Sequence, residues 1–117
     1  DGACIMHMGA MAIIANKSPR NYVHILFNNG AHDSVGGQPT VGLDINIPSI
    51  AKAVGYKNVI SVDNQDALKE AIFNAKNNDG PHFIEIKVKK GNRKDLGRPT
   101  TTPIQNKESL MNFLKDS

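Results

Sequence analysis

Residues 1–29 read D-G-A-C-I-M-H-M-G-A-M-A-I-I-A-N-K-S-P-R-N-Y-V-H-I-L-F-N-N. The apolar stretch 3–16 predicts a helix that is buried almost all round, with Gly9 packed closely against a neighbouring element. Pro19 lies in a turn, and residues 22–27 form a β-branched and aromatic run of strand length. Their near-continuous hydrophobicity favours a central parallel strand that is covered on both faces.

The rest of the chain continues this alternation of helix and strand. The predicted elements are a long polar loop (28–46), a helix opened by Pro48 and ended by Gly55, a strand (59–62), a helix (65–77) capped by Asn64, an edge or half-exposed strand (82–89) and a closing helix (107–115). This order predicts an α/β fold, a three-layer parallel sheet with helices on both faces. One further strand is expected before Asp1, since its acidic loop needs a strand end to sit on.

The composition is that of an ordinary soluble domain, with 39% hydrophobic and 21% charged residues, and 117 residues predict a single one. The first residues do not resemble a signal peptide, and the longest apolar run is shorter than the roughly 20 residues that span a bilayer. Cys4 is the single cysteine, so no intramolecular disulfide can form, and we expect a reducing compartment, the cytoplasm.

The net charge of +3 comes largely from one late segment. Its basic residues are Lys87, Lys89, Lys90, Arg93, Lys94 and Arg98. No aromatic residue lies between them, which argues against stacking on single-stranded nucleic acid. The segment is therefore either a solvated edge or a site for a small anionic molecule.

The strand ends of such a sheet indicate where a ligand binds. Asp1 and Asn29 each follow a strand in the predicted topology, and ligands of open parallel sheets bind at the carboxyl ends of the strands. Carboxylate, amide and backbone oxygens are the ligands that a hard divalent cation prefers. Gly2 lets a phosphate approach the backbone, and a helix starting at Ala3 offers it free N–H groups.

At these residues the chain resembles the thiamin-diphosphate enzymes, whose motif is Gly-Asp-Gly followed, after a helix and a strand, by Asn-Asn. The first glycine of that motif is missing here. The stretch 30–40, G-A-H-D-S-V-G-G-Q-P-T, is similar to the branch that decarboxylates phosphonopyruvate and sulfopyruvate. The segment 90–111, which begins K-G-N-R-K-D-L-G-R-P, resembles the phosphonopyruvate decarboxylases in particular. The resemblance covers essentially the whole chain.

The resemblance implies a metal and cofactor site made of five residues. Asp1, the Asn29 side chain and the backbone carbonyl of Ala31 would be the Mg²⁺ ligands. Gly2 and Ala3 would give backbone contacts to the diphosphate of thiamin diphosphate. The metal would neutralise two phosphates and anchor the cofactor, which carries the chemistry.

The residues that follow the metal loop are candidates for contact with the substrate. His32 and Asp33 would face the reacting carbon, where a histidine suits proton donation near neutral pH. The alternative is that His32 only shapes the loop. Arg93, Lys94 and Arg98 are the candidates for binding an anionic phosphonate.

The implied function is the thiamin-diphosphate- and Mg²⁺-dependent decarboxylation of 3-phosphonopyruvate to phosphonoacetaldehyde and CO₂, in phosphonate biosynthesis. Residues 1–117 would be the diphosphate-binding domain, truncated at its N-terminus and without the pyrimidine-binding domain, which carries the cofactor-activating glutamate. Because such active sites form between two chains, we expect a homo-oligomer and no turnover from this chain alone.

Three other interpretations remain open. The chain can be a sulfopyruvate decarboxylase subunit, since the substrates differ only in their anionic head. It can be a non-catalytic α/β module that recognises a phosphorylated ligand, in which case Asp1→Ala should not weaken binding. A basic nucleic-acid module would show an affinity that falls steeply with salt. We expect neither nucleic acid nor a membrane as the partner.

Overall fold

The computed structural model describes residues 1–115 and builds them around a three-stranded parallel sheet. The helices are α1 (Gly2–Met6), α2 (Gly9–Lys17), α3 (Ile47–Val54), α4 (Gln65–Asn77) and α5 (Pro103–Lys115). The strands are β1 (Val23–Asn28), β2 (Ala31–His32), β3 (Gln38–Pro39), β4 (Asn58–Val62) and β5 (His82–Lys87). The sheet has the order β1-β5-β4, and β2 and β3 form a separate antiparallel pair.

Helices cover both faces of this sheet, which confirms the predicted three-layer α/β fold. On one face, Phe83 of β5 packs with buried residues of α2 and α3. On the other, Ile84 of the same strand packs with Ala71 of α4. Successive residues of a strand point to opposite faces, so β5 contributes to both layers of the core.

The helices that flank β4 begin and end where the sequence predicts. The Asn46 side chain accepts a hydrogen bond from the Ser49 N–H at 3.0 Å at the start of α3, and Gly55 ends this helix with a φ of 111°. Asn64 caps α4 by accepting from the Ala67 N–H at 2.9 Å. These short-range signals need no tertiary context, so the sequence predicts them well.

The predicted places of two strands in the sheet were wrong. β5, expected at an edge, is the central strand, and its residues are buried from His82 to Ile86. β1, expected at the centre, is an edge strand among the described residues, with Val23, Ile25 and Phe27 37%, 42% and 62% exposed. The reason is that α4 packs over β4 and β5 and leaves this face of β1 open.

The expectation of one buried helix over 3–16 was also wrong. The structure has two helices, α1 and α2, with a break at His7–Met8. In α2 only Met11 and Ala15 are buried, while Ile13 is 65% exposed. A methyl group at Gly9 would meet no heavy atom within 4 Å, so Gly9 does not mark close packing. One stripe of α2 faces α3, and the described residues leave its other sides uncovered.

The long loop after β1 is folded rather than irregular. It contains the β2–β3 pair with a single 3₁₀ turn, Asp33–Val35, between the two strands. Near the end of the described residues, α5 starts at Pro103, four residues before the predicted start at 107, and its side chains are exposed. No helix within residues 1–115 is both long and apolar enough to cross a membrane.

Candidate functional site

A cavity of about 600 Å³ lies where α1 begins, β1 ends and the late basic segment crosses. Most of the residues predicted for the site line it: Asp1, Gly2, Ala3, Asn29, Ala31, His32, Asp33 and Arg98. Of the predicted anion-binding residues, Arg93 and Lys94 do not line the cavity. A second cavity of about 520 Å³, beside Tyr56 and α4, contains none of the predicted site residues. The cavity at the end of β1 is therefore the candidate site.

Asp1 is held at the mouth of this cavity by contacts to β1 and to the loop after β3. Its nitrogen donates to the Phe27 carbonyl at 2.7 Å. Its carboxylate does not cap α1, and one oxygen, Oδ2, instead accepts a hydrogen bond from the Thr40 hydroxyl. The first N–H groups of α1 are thus left without a side-chain cap, and Gly2 and Ala3 line the cavity.

Asn29 closes a tight turn at the end of β1. Its Oδ1 accepts from the Ala31 N–H at 3.1 Å, and its Nδ2 donates to Asp33 Oδ2 at 2.7 Å. Asp1, Asn29 and Ala31 thus border one space. Within residues 1–115 no three His, Cys, Asp or Glu side chains form a metal-binding group. A cation in this cavity would therefore rely on one carboxylate with amide and backbone oxygens, a donor set that suits Mg²⁺.

The imidazole of His32 lies against the backbone of Gly2. A methyl group at position 2 would come 2.6 Å from His32 Nδ1, closer than atoms can approach. The sequence suggested that Gly2 makes room for a phosphate, and the structure shows that it also makes room for a histidine ring. This contact sets His32 beside the predicted metal ligands.

The late basic segment is hydrogen-bonded to the last residue of β1 and, at two points, to the loop that follows. The Val88 N–H donates to the Asn28 carbonyl at 3.0 Å, and the Gly91 N–H donates to Asp33 Oδ2 at 2.8 Å. The Lys90 ammonium donates to the carbonyl of Gly37. The segment then runs along the cavity, which Asn92, Leu96 and Arg98 line. In the same segment, Arg93 pairs with Asp95 at 3.6 Å.

Sequence reasoning missed Thr40 and Gly42, whose hydrogen bonds fix the Asp1 carboxylate. Thr40 donates to the Asp1 carboxylate and accepts from the Gly42 N–H at 3.1 Å. At Gly42, a methyl group would come 2.9 Å from Asn28 Oδ1. The available signal is the Thr-x-Gly spacing after Pro39, which is typical of a hydroxyl that closes a turn on a backbone N–H.

Comparison with known proteins places the chain in a family. Residues 1–86 match the family described as "Thiamine pyrophosphate enzyme, C-terminal TPP binding domain". The chain is 36% identical over 105 residues to a phosphonopyruvate decarboxylase of Streptomyces viridochromogenes, covering 90% of this chain and 26% of that protein. It is 38% identical over 103 residues to a phosphonopyruvate decarboxylase of Streptomyces hygroscopicus, with 88% and 26% covered. It is 30% identical over 118 residues to the sulfopyruvate decarboxylase subunit beta of Methanocaldococcus jannaschii, with 100% and 62% covered. The chain thus spans about a quarter of the length of the two Streptomyces proteins.

Proposed function

Because this chain belongs to the thiamine pyrophosphate enzymes, as a C-terminal TPP binding domain, we propose that it supplies the diphosphate and Mg²⁺ site of a phosphonopyruvate decarboxylase. The reaction converts 3-phosphonopyruvate to phosphonoacetaldehyde and CO₂, a step of phosphonate biosynthesis. The identity to the two Streptomyces phosphonopyruvate decarboxylases, 36% and 38%, supports this choice of substrate.

One observation carries the proposal. A single cavity gathers the oxygen-bearing groups of Asp1, Asn29 and Ala31, the backbone of Gly2 and the cationic side chain of Arg98. A metal-bound diphosphate needs the oxygen ligands and the accessible backbone, and an anionic substrate needs the cationic side chain.

The residues of the cavity fit the proposed cofactor and metal. The Asp1 side chain leaves the start of α1 uncapped, so the backbone at Gly2 and Ala3 is available to a phosphate. Asp1, Asn29 and the Ala31 carbonyl are the Mg²⁺ ligands of the proposal. When bound, thiamin diphosphate supplies an electron sink for the carbon that loses CO₂.

The chain's own side chains have separate tasks in this proposal. Arg98 binds the phosphonate head through charge-assisted hydrogen bonds, for which the planar guanidinium is well shaped. His32, beside Gly2, donates a proton from its imidazole to C2 of the substrate after CO₂ has left. Asp33 accepts from both the Asn29 amide and the Gly91 N–H, so it joins the metal loop to the segment that carries Arg98.

The remaining parts of the proposal concern the whole enzyme. We propose that a pyrimidine-binding domain or subunit completes the active site between two chains, and that the enzyme is a homo-oligomer. One of the relatives is itself named as a beta subunit. We further propose a cytoplasmic location, since Cys4 is free and half-buried in the structure.

Sulfopyruvate is the second candidate substrate. The supporting observation is that the sulfopyruvate decarboxylase subunit beta matches the whole of this chain, at 30% identity. Phosphonate and sulfonate heads are both tetrahedral anions, and both would suit Arg98. Because the two heads differ in charge, the ratio of kcat/KM for phosphonopyruvate and sulfopyruvate distinguishes the two candidate functions.

The test follows CO₂ release by the full-length protein from phosphonopyruvate, sulfopyruvate and pyruvate, with and without Mg²⁺ and thiamin diphosphate. We expect turnover only when both are added, and the highest kcat/KM on phosphonopyruvate. An Asp1→Ala variant should lose Mg²⁺-dependent cofactor binding, whereas Asp63→Ala, at an exposed carboxylate beyond β4, should retain it. A preference for sulfopyruvate would transfer the assignment to the second candidate, and no turnover on any of the three would refute both.

A further inference from the structure

We infer that Glu85 is a positioning residue for the metal site, acting on the Asp1 carboxylate through Asn28, Gly42 and Thr40. This inference rests on the proposed function, because it assigns Asp1 to the metal. Glu85 belongs to the central strand and contacts neither the candidate cavity nor Asp1 through its own hydrogen bonds.

Glu85 is an acidic residue in the interior of the sheet, with 3% of its surface exposed. Both carboxylate oxygens are occupied: Oε1 accepts from Asn28 Nδ2 at 2.8 Å, and Oε2 accepts from the Ser61 hydroxyl. Ser61 is on β4 and Asn28 on β1, so Glu85 joins both neighbours of the central strand. A carboxylate is costly to bury, and these two donors compensate for part of that cost.

Asn28 carries this fixed geometry from the sheet to the loops. It is 1% exposed, and its Nδ2 donates to the Gly42 carbonyl at 2.7 Å as well as to Glu85. Its Oδ1 accepts from the Gly30 N–H at 3.2 Å. Both Nδ2 hydrogens are therefore used, and the amide holds the chain at Gly42 close to the end of β1.

Gly42 and Thr40 complete the connection to Asp1. The Gly42 N–H donates to Thr40 Oγ1 at 3.1 Å, and the Thr40 hydroxyl donates to Asp1 Oδ2. The Thr40 hydroxyl thus fixes the orientation of the Asp1 carboxylate, which would hold the metal in the proposed site. Groups that orient a metal ligand in this way commonly change metal affinity by about 10- to 100-fold when they are removed.

Truncation of the Glu85 side chain should therefore lower the affinity for Mg²⁺. In Glu85→Ala, Asn28 Nδ2 loses one acceptor and the Ser61 hydroxyl loses its partner. Asn28 keeps its bonds to Gly42 and Gly30 but loses the bond that fixes its amide to the central strand. In Glu85→Gln, the amide oxygen can still accept from Asn28, and the amide NH₂ can donate to Ser61 Oγ after the hydroxyl rotates. The glutamine variant is the conservative rescue.

The experiment titrates Mg²⁺ into the full-length protein with thiamin diphosphate and measures cofactor binding by calorimetry. We expect Glu85→Ala to raise the Mg²⁺ concentration for half-saturation by about 10-fold or more, and Glu85→Gln to stay near wild type. Ile86→Ala is the matched control: the same strand, also buried, but facing α4 and outside the hydrogen-bond chain. It should lower the melting temperature and leave the Mg²⁺ dependence unchanged.

A second variant keeps the test decisive if Glu85→Ala does not fold. Thr40→Val removes the hydrogen bond to Asp1 that ends this chain of contacts, with little change in side-chain volume. It should raise the Mg²⁺ concentration for half-saturation by a similar factor. Combined with Glu85→Gln, it should behave as Thr40→Val alone, whereas combined with Glu85→Ala the two effects should be less than additive. Unchanged Mg²⁺ dependence in Thr40→Val or in a folded Glu85→Ala, with wild type binding normally, would overturn this inference alone. Failure of the wild-type protein to bind cofactor would instead refute the proposed function, and the inference with it.

Discussion

The imidazole of His32 rests on the bare backbone of Gly2, so that a methyl group at position 2 would lie 2.6 Å from Nδ1 of the ring. The two residues are far apart in the sequence, and the end of β1 brings them together. The glycine thus has two tasks in the proposed site. It leaves room for a phosphate beside the backbone at the start of α1, and it lets an imidazole ring approach the same point.

Gly2→Ala is expected to displace His32 from the cavity. The added methyl group overlaps the ring, so either the ring or α1 must move. We expect cofactor affinity and kcat both to fall, each by about 10-fold or more, since geometry errors of about 1 Å have effects of this order or larger. Calorimetric titration with thiamin diphosphate and steady-state kinetics measure the two effects.

Gly9→Ala is the control for that substitution. A methyl group at Gly9 meets no heavy atom within 4 Å, and alanine favours a helix over glycine. The cofactor affinity and kcat should both remain at their wild-type values. If Gly2→Ala behaved in the same way, the contact with His32 would have no functional weight.

Arg98→Ala is expected to act on the substrate and to spare the cofactor. Arg98 lines the cavity, and hydrogen bonds to charged groups contribute about 1.5–3 kcal/mol. The KM for phosphonopyruvate should therefore rise by about 10- to 100-fold while the affinity for thiamin diphosphate stays unchanged. Arg93→Ala, which removes an exposed partner of Asp95, should leave the KM unaltered. Equal effects of the two substitutions would argue for a diffuse surface charge and against a defined binding position.

Asp33→Ala is expected to weaken both Mg²⁺ binding and substrate binding. Asp33 Oδ2 accepts from Asn29 Nδ2 at 2.7 Å and from the Gly91 N–H at 2.8 Å. Its removal should raise the Mg²⁺ requirement and the KM in parallel, and Asp33→Asn should recover part of each because one amide oxygen can still accept. A loss of kcat alone, with both affinities intact, would assign Asp33 to the chemical step.

Acidification is expected to destabilise the fold through His24. Burial lowers the pKa of His24. The centre of its ring lies 4.9 Å from the centre of the Phe83 ring, and its Nδ1 lies 3.0 Å from the Tyr56 hydroxyl. Above about pH 6.5 the histidine is neutral in both folded and unfolded states and makes no pH-dependent contribution. Below that pH the unfolded state takes up the proton first, so stability falls until the pH passes the lower folded-state pKa.

The measurement is the melting temperature between pH 5 and 8, compared with His24→Phe. The phenylalanine keeps the ring in the core but cannot titrate, so the melting temperature of the variant should change less below about pH 6.5. Two identical pH profiles would show that other groups control the acid response.

Local signals account for the parts of the fold that the sequence predicts correctly. Asn64 and Gly55 set helix ends through hydrogen bonds within a few residues, and Pro48 favours the first turn of α3 through its fixed φ, so α3 and α4 have the predicted bounds. The place of each strand in the sheet depends on contacts between distant residues. Glu85 shows the difficulty, because a charged residue within a strand is typical of an exposed face, and only the donors from β1 and β4 allow it to be buried.

The same distinction separates the site residues that were predicted from those that were missed. Asp1, Gly2 and Asn29 occur in a recognisable motif, and the sheet topology brings them to one edge. The basic segment was identified as a whole, but nothing in its sequence tells Arg98, in the cavity, from Arg93, which pairs with Asp95. Thr40 and Gly42 act through turn geometry, which depends on where the loop after β3 meets Asp1.

The buried contacts of Glu85 also bear on how the protein folds. Its two partners come from β1 and β4, so Glu85 cannot be desolvated favourably until all three strands have assembled. The loop at Gly42 depends on the same amide of Asn28 and should become ordered in that step. Amide hydrogens around Gly42 should then exchange with solvent more slowly in wild type than in Glu85→Ala, because opening the loop breaks a bond to a side chain that the sheet holds in place. Ligand affinity and global folding cooperativity would in that case be properties of one and the same set of bonds.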